Sequence, residues 1–288
     1  MTTTESRPRL EVRRLAGALG AEVRGADLAA RLTPDNRDEI EAHLLEHLVL
    51  FFPDQNLTPV QHRDFASQWG EMEVHPYLPK VDGFPEIVEL SSSRGMVADD
   101  WHTDVTFSAR PPIMSILNHV ETPAVGGDTM WTNQYAVYES LSAPIRDLLD
   151  GLTCIHTART YSDPATRAEH PAVRLHPRTG RKCLYVNGQF TERFVQLSHD
   201  ESRNLLDFLR SYATHPRFAV RYAWTKGTVA IWDNRCTQHS VLNDFEGLRV
   251  IQRVTILGDL PEGAPPRWER YPFPSQMSSA NARERLEA

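Results

Sequence analysis

Several common signals are missing from this 288-residue chain, and each absence closes off a class of function. Its three cysteines, Cys154, Cys183 and Cys236, are odd in number and far apart, with no CxxC spacing. They suggest neither a disulfide framework nor a zinc knuckle, and the expected compartment is the reducing cytoplasm. No apolar run approaches the roughly 18 residues of a membrane span, and the opening MTTTESRPRLEVRRL lacks the apolar core of a signal peptide. The net charge is −7 with no block of Lys or Arg, which leaves no electrostatic footprint for nucleic acid or an anionic membrane. Repeats and low-complexity tracts are also lacking. Any anionic ligand must therefore be met by a few local cations.

What remains is rich in short strands. VLFF, EIVELS, IMSILNHV, GDTMWT, KCLYVN, RFAVRYAW, GTVAIWD and RVIQRVTIL are β-branched or aromatic runs separated by turn residues such as Asp82-Gly83 and Lys226-Gly227. Helices are expected at four places. Residues 33 to 48 and 58 to 70 each open on Thr-Pro, and residues 138 to 152 and 198 to 213 carry Leu every three or four positions. Many strands with few helices predict a mainly β fold, a sandwich or jelly roll with flanking helices. The length suits one domain over residues 1–288. Its ends, 1–8 and 261–288, are rich in Pro, Ser and charge and read as loosely held.

The chemistry begins at WHTDVTF, residues 101 to 107. Trp101, Val105, Thr106 and Phe107 favour a strand, and in a strand His102 and Asp104 point to the same face. Two donors do not complete a metal site. A third, His239, follows the strand TVAIW and the turn DNR, and two His with one carboxylate form the facial triad of non-haem iron oxygenases. Zinc hydrolases use the same ligand types, so the donor set alone leaves the metal open. Arg249 and Arg253 then lie four apart on a predicted strand and share a face. Two arginines facing one interior require anions there, because an unpaired buried guanidinium costs several kcal/mol.

WHTDVTF, GGDTMWTN, IWDNRCTQH and QRVTILGD, taken together and in this order, resemble the taurine dioxygenase family of Fe(II)- and 2-oxoglutarate-dependent oxygenases over roughly residues 10 to 260. The resemblance implies a double-stranded β-helix, a jelly-roll variant, with Fe(II), 2-oxoglutarate and O2 as cofactor and cosubstrates. It implies that His102, Asp104 and His239 bind the iron and that Arg249 and Thr129 hold the far carboxylate of 2-oxoglutarate. Arg253 and His75 fall where the family grips its substrate's sulfonate. The family often forms dimers or tetramers, so a homo-oligomer is expected.

Departures from the family pattern bear on substrate. Leu78 stands for a tyrosine, Ala98 for an asparagine and Ala158 for a pocket phenylalanine, while Phe190 is kept. A roomier, more apolar site is expected, suited to longer alkyl sulfonates or alkyl sulfate esters, with sulfite or sulfate, an aldehyde, succinate and CO2 as products. Alternatives are the same chemistry on a carboxylate or phosphonate, a zinc-dependent hydrolase, and a non-catalytic jelly-roll binding protein. A zinc-dependent hydrolase has no need of Arg249 and Thr129.

Overall fold

The computed structural model describes residues 10–95 and 98–272. Its backbone is mainly antiparallel β. The largest sheet has eight strands in the order Glu11–Arg14, Ala21–Arg24, Val49–Phe52, Val229–Asp233, Met114–Glu121, Val250–Ile256, Phe84–Ser91, Lys80–Val81. Facing it is a three-stranded sheet, Ala219–Tyr222, Thr129–Asn133, Thr237–Val241, and the two faces form a jelly roll.

Period-two alternation explains why the central strands carry almost no exposed side chain. In VLFF, Leu50 and Phe52 join one core with Ile40, Leu44 and Phe65 from the helices Pro34–His47 and Pro59–Ala66. Val49 and Phe51 join another with Trp131, Tyr222 and Trp232, between the two sheets. Trp232 and Ile231 divide in the same way, as do Leu117 and Ile116. A sheet covered on both faces reads as a continuous apolar run. The few polar side chains on the inner face of such strands must then belong to a site.

Both Thr-Pro helix starts form as expected. Thr33 and Thr58 cap their helices, the second with a full capping box through Gln61. His199–Ala213 forms as well, capped by Ser198. The helix expected over 138 to 152 is two, Gln134–Ser140 and Ala143–Asp150. Pro144 has no N–H to give Ser140 O and its ring would clash with that carbonyl in a continuous helix, so the first helix stops and Ser142, at ψ 152°, becomes the N-cap of the second.

WHTDVTF is not a strand. His102 makes a single bridge with His239, and Asp104 to Phe107 form a turn in which Val105 takes a positive φ of 56°. Tertiary contacts override strand propensity here. Val105 and Phe107 bury their side chains against Ala158 and Phe190, and the Asn234 side chain pins the Asp104 backbone. Left-handed geometry at a β-branched residue is strained, and strain of this kind concentrates at functional sites.

The segment 261 to 272 has neither helix nor strand, yet it is tied along its length. Glu262 O accepts from Leu175 N, Arg267 N donates to Gly151 O, and Tyr271 N donates to Val195 O. The rest of the expected loose ends, 1–8 and 273–288, lies outside the described residues. Among the described residues no helix is long and apolar enough to cross a membrane. All three cysteines are buried and free.

Candidate active site

Three chain segments meet at the inner face of the jelly roll. His102 and His239 exchange both backbone hydrogen bonds, His102 N to His239 O at 3.0 Å and His239 N to His102 O at 2.8 Å. This bridge sets the two rings side by side, 4.1 Å between centroids. Asp104 Oδ1 faces both, 3.7 Å from His102 Nε2 and 3.9 Å from His239 Nε2. All three side chains are buried, and one ligand atom from each lies within 4.8 Å of the others. Two imidazoles and a carboxylate at this separation suit one small cation.

The surroundings prepare the donors. His102 Nδ1 donates to the Asp100 carbonyl at 2.7 Å, which fixes the tautomer and leaves the Nε2 lone pair for a metal. Ser115 Oγ donates to Asp104 Oδ2 at 2.7 Å, so Oδ1 is the oxygen turned to the histidines. Asn234 accepts from Asp104 N (2.9 Å) and donates to both Asp104 O (3.1 Å) and Pro112 O (2.9 Å). Burial alone would raise the Asp104 pKa, but Arg253, His239 and His102 hold it well below the usual carboxylate range. Burial pushes both histidines down. The site thus presents a carboxylate and two neutral imidazoles, the protonation states a cation requires.

Two other groups among the described residues have metal-like composition. His43, Glu46 and His47 lie on one helix, with Glu46 exposed and His47 buried. In the buried trio His176, Asp233 and Cys236, the His176 Nε2 is committed to Asp233 Oδ2 at 3.0 Å while Arg235 also pairs with Asp233. Its His176 Nδ1 already accepts from Arg178 N and Thr179 N, so that trio is a satisfied structural network. Four further buried histidines, His62, His119, His156 and His170, make hydrogen bonds within the fold.

Beyond the triad an inner cleft runs between the sheets, lined by Leu117, Thr129, Trp131, Trp232, Arg249 and Ile251 among others. Arg249 sits one residue before the strand Val250–Ile256, and a bulge lies between Val250 and Ile251. Its Nε donates to Gly127 O at 3.0 Å and its Nη2 to Thr129 Oγ1 at 3.4 Å. Among the described residues it pairs with no carboxylate, and burial lowers its pKa to about 10, still a cation at neutral pH. Trp224 Nε1 also donates to Thr129 Oγ1, at 2.9 Å. Thr129 Oγ1 thus accepts two hydrogen bonds, which leaves its proton to be donated elsewhere. The GG of GGDTMW has a backbone reason. Gly126 and Gly127 take φ of +76° and +70°, and a Cβ on Gly126 would lie 2.4 Å from Asp244 O.

On the open side of the triad is a cavity of about 210 Å³. Arg253 lines both spaces, and its Nη1 pairs with Asp104 Oδ1 while its buried Nε has no partner. His75 Nδ1 accepts from Tyr77 N (3.2 Å) and Leu78 N (3.1 Å), so its proton sits on Nε2. Burial, with Arg253 adding to it, depresses the His75 pKa to about 3. Leu78, Ala98 and Phe190 line the same cavity. Ala158 does not. It is fully buried against Val105, Phe107 and Phe190, with Tyr161 and Tyr77 beside it, so the room expected from its small side chain is filled by aromatic rings.

Every residue expected at the site from the sequence, Ala158 apart, comes together here. The sequence reading missed Ser115, Asn234, Trp224, Tyr161 and Gln189. Ser115 carried a signal, a lone hydroxyl within the apolar run IMSILNHV, and Asn234 was visible only as a turn residue. Trp232 is fully buried in the core, its ring 4.8 Å from that of His239.

Residues 11–255 match the sequence profile of the family described as "Taurine catabolism dioxygenase TauD, TfdA family". An alpha-ketoglutarate-dependent sulfate ester dioxygenase of Pseudomonas putida is 37% identical over 276 residues, covering 88% of this chain and 91% of its own. An alkylsulfatase of Acinetobacter baylyi is 35% identical over 303 residues, covering 97% and 95%. The crystal structure of a taurine dioxygenase from Burkholderia xenovorans superposes with a TM-score of 0.82 at 40% identity, covering 93% of this chain and 98% of that one.

Proposed function

The chain belongs to the taurine catabolism dioxygenase TauD, TfdA family, and from that premise we propose that it oxidises alkyl sulfate esters or alkyl sulfonates and releases their sulfur as sulfate or sulfite. As a member it is an Fe(II)- and 2-oxoglutarate-dependent dioxygenase, which sets aside the zinc-hydrolase and binding-protein alternatives. In our assignment His102, Asp104 and His239 hold the iron. Arg249 and Thr129 take the far carboxylate of 2-oxoglutarate, the one with its uncommitted charge and the other with its free proton. Arg253 and His75 hold the substrate anion, and Leu78 and Phe190 flank its tail.

The observation that carries this reading is the pair of buried arginines on either side of the triad. Among the described residues Arg249 lacks a carboxylate partner, and Arg253, paired through Nη1 with Asp104, has no partner for its Nε. An unanswered charge on one side and an open guanidinium N–H on the other fit two anionic ligands, a dicarboxylate and a substrate. Bound iron would activate O2 with 2-oxoglutarate as co-reductant, so that one oxygen atom enters the substrate C–H bond as hydroxyl and the other enters succinate as 2-oxoglutarate loses CO2. When the hydroxylated carbon bears –OSO3⁻ or –SO3⁻, its C–O or C–S bond breaks as the new hydroxyl becomes a carbonyl, leaving an aldehyde and sulfate or sulfite. The relatives named for sulfate ester and alkyl sulfate chemistry favour that class. With Leu78, Ala98 and Phe190 lining the cavity, each additional buried CH2 of a tail adds about 0.8 kcal/mol.

The test is a panel of hexyl sulfate, hexanesulfonate, butanesulfonate and taurine with Fe(II), 2-oxoglutarate and O2, scored by sulfate or sulfite release and by succinate. Hexyl sulfate or hexanesulfonate should show the highest kcat/KM. Taurine as the best substrate would overturn the expectation of a long apolar tail, and no sulfate or sulfite from any member would overturn the sulfur assignment and leave a carboxylate or phosphonate as the anion. We further take residues 1–288 to work as one domain in a cytoplasmic homo-oligomer, a dimer or tetramer, which light scattering on the purified protein tests.

A further inference from the structure

We propose that Tyr161 is a specificity-determining residue, its hydroxyl supplying a third donor beside Arg253 and His75 for the anionic head of the substrate. This rests on the sulfur-oxyanion reading above and extends it to a residue outside the motifs that led there. Tyr161 closes a short 3-10 turn, Arg159–Tyr161, and lines the same cavity as Arg253 and His75. Its ring is 5.6 Å from that of His75 at 74°, and it stacks on Tyr77 at 4.8 Å and 14°. Tyr77 is itself anchored through its hydroxyl to Asp163 Oδ2 at 2.7 Å. The Tyr161 ring is thus fixed by packing, while its hydroxyl has no hydrogen-bond partner among the described residues.

A half-buried phenol that faces a cavity and lacks a partner calls for one in the ligand. Burial pushes its pKa up to about 12 and Arg253 pulls the other way, so the oxygen keeps its proton at neutral pH. His75 carries its proton on Nε2, and the Arg253 Nε–H is uncommitted. All three groups are donors, and none can accept a proton from the substrate at neutral pH. A sulfate ester or sulfonate offers three terminal oxygens and a carboxylate offers two. Three donors converging from different segments match the tetrahedral fan of three oxygens better than the in-plane lone pairs of a carboxylate, and a poorly met donor in a largely buried site is the costly outcome that generates selectivity.

Tyr161→Phe keeps the ring, its stacking on Tyr77 and its contact with Phe190, and removes one O–H. The variant and the wild type are compared with hexyl sulfate and hexanoate. Calorimetry measures binding to protein loaded anaerobically with Fe(II) and 2-oxoglutarate, and steady-state sulfate release measures turnover. For hexyl sulfate the variant's Kd and KM should rise about tenfold, the worth of a hydrogen bond to a charged group, with kcat within about twofold. Hexanoate binding should not weaken, and the KM for 2-oxoglutarate should not move. Unchanged hexyl sulfate binding in the variant would overturn the role of Tyr161 alone. An equal rise for 2-oxoglutarate would show general disturbance of the site and would also overturn it. If hexyl sulfate fails to bind the wild type, the sulfur-oxyanion reading itself falls and this inference with it.

Discussion

Arg249 shows how much one side chain can decide. Held between Gly127 O and Thr129 Oγ1 in a cleft that burial has dried, it keeps its charge and lacks a carboxylate partner among the described residues. Truncation to alanine removes a charge-assisted contact worth about 2–5 kcal/mol to a dicarboxylate. The KM for 2-oxoglutarate in Arg249→Ala should therefore rise at least thirtyfold, with hexyl sulfate binding much less affected. An unchanged KM would place the carboxylate elsewhere. Arg249 was legible in the sequence because a charged residue in a strand pattern must be answered by something. Tyr161 was not, since a tyrosine in a turn has no period to mark which way it faces.

Between strands, the turn after Val229–Asp233 matters more than its composition suggested. Asn234 joins it to the turn that opens at Asp104 through two hydrogen bonds to the Asp104 backbone, and makes a third to Pro112 O. Asn234→Ala leaves Asp104 N and two carbonyls buried without a partner, at a cost of about 1–3 kcal/mol. Urea denaturation should show that loss, and Fe(II) affinity should fall about 10–100-fold because the Asp104 backbone is no longer held. Wild-type metal affinity in a folded Asn234→Ala protein would show that the strained turn at Val105 holds itself. The same turn explains the failed strand expectation at WHTDVTF. Propensity favours a pleat, but one bridge to His239 and two bonds to Asn234 are stronger local constraints.

At the scale of the whole molecule, buried histidines make stability depend on pH. His62 donates from Nε2 to Ile116 O at 3.0 Å, and burial lowers its pKa from 6.5 to about 4. Burial also brings His170 to about 4 and His119 to about 3. Their folded values lie below the unfolded one, so as pH falls from about 6.5 toward 4 the unfolded chain takes up protons that the folded chain refuses. Stability is complete above that window and is lost within it. His62 alone contributes about 3 kcal/mol on the scale of 1.4 kcal/mol per unit. Denaturation of metal-free protein should show lower stability at pH 5 than at pH 7.5, by several kcal/mol. A flat profile would mean that these rings are protonated in the fold.

The sequence alone determined the β-rich class and both Thr-Pro helix starts, which are properties of local periodicity and fixed caps, and it picked out His102, Asp104 and His239 by donor type and, through motifs shared with a family, Arg249 with Thr129. Only the tertiary structure showed that His102 and His239, 137 positions apart, stand side by side next to Asp104, because one bridge joins their segments. It also decided that Ala158 opens no space, because Tyr161 and Tyr77 arrive beside it from other segments. Cavity shape is set by what packs across from a residue, and no local pattern records its neighbour.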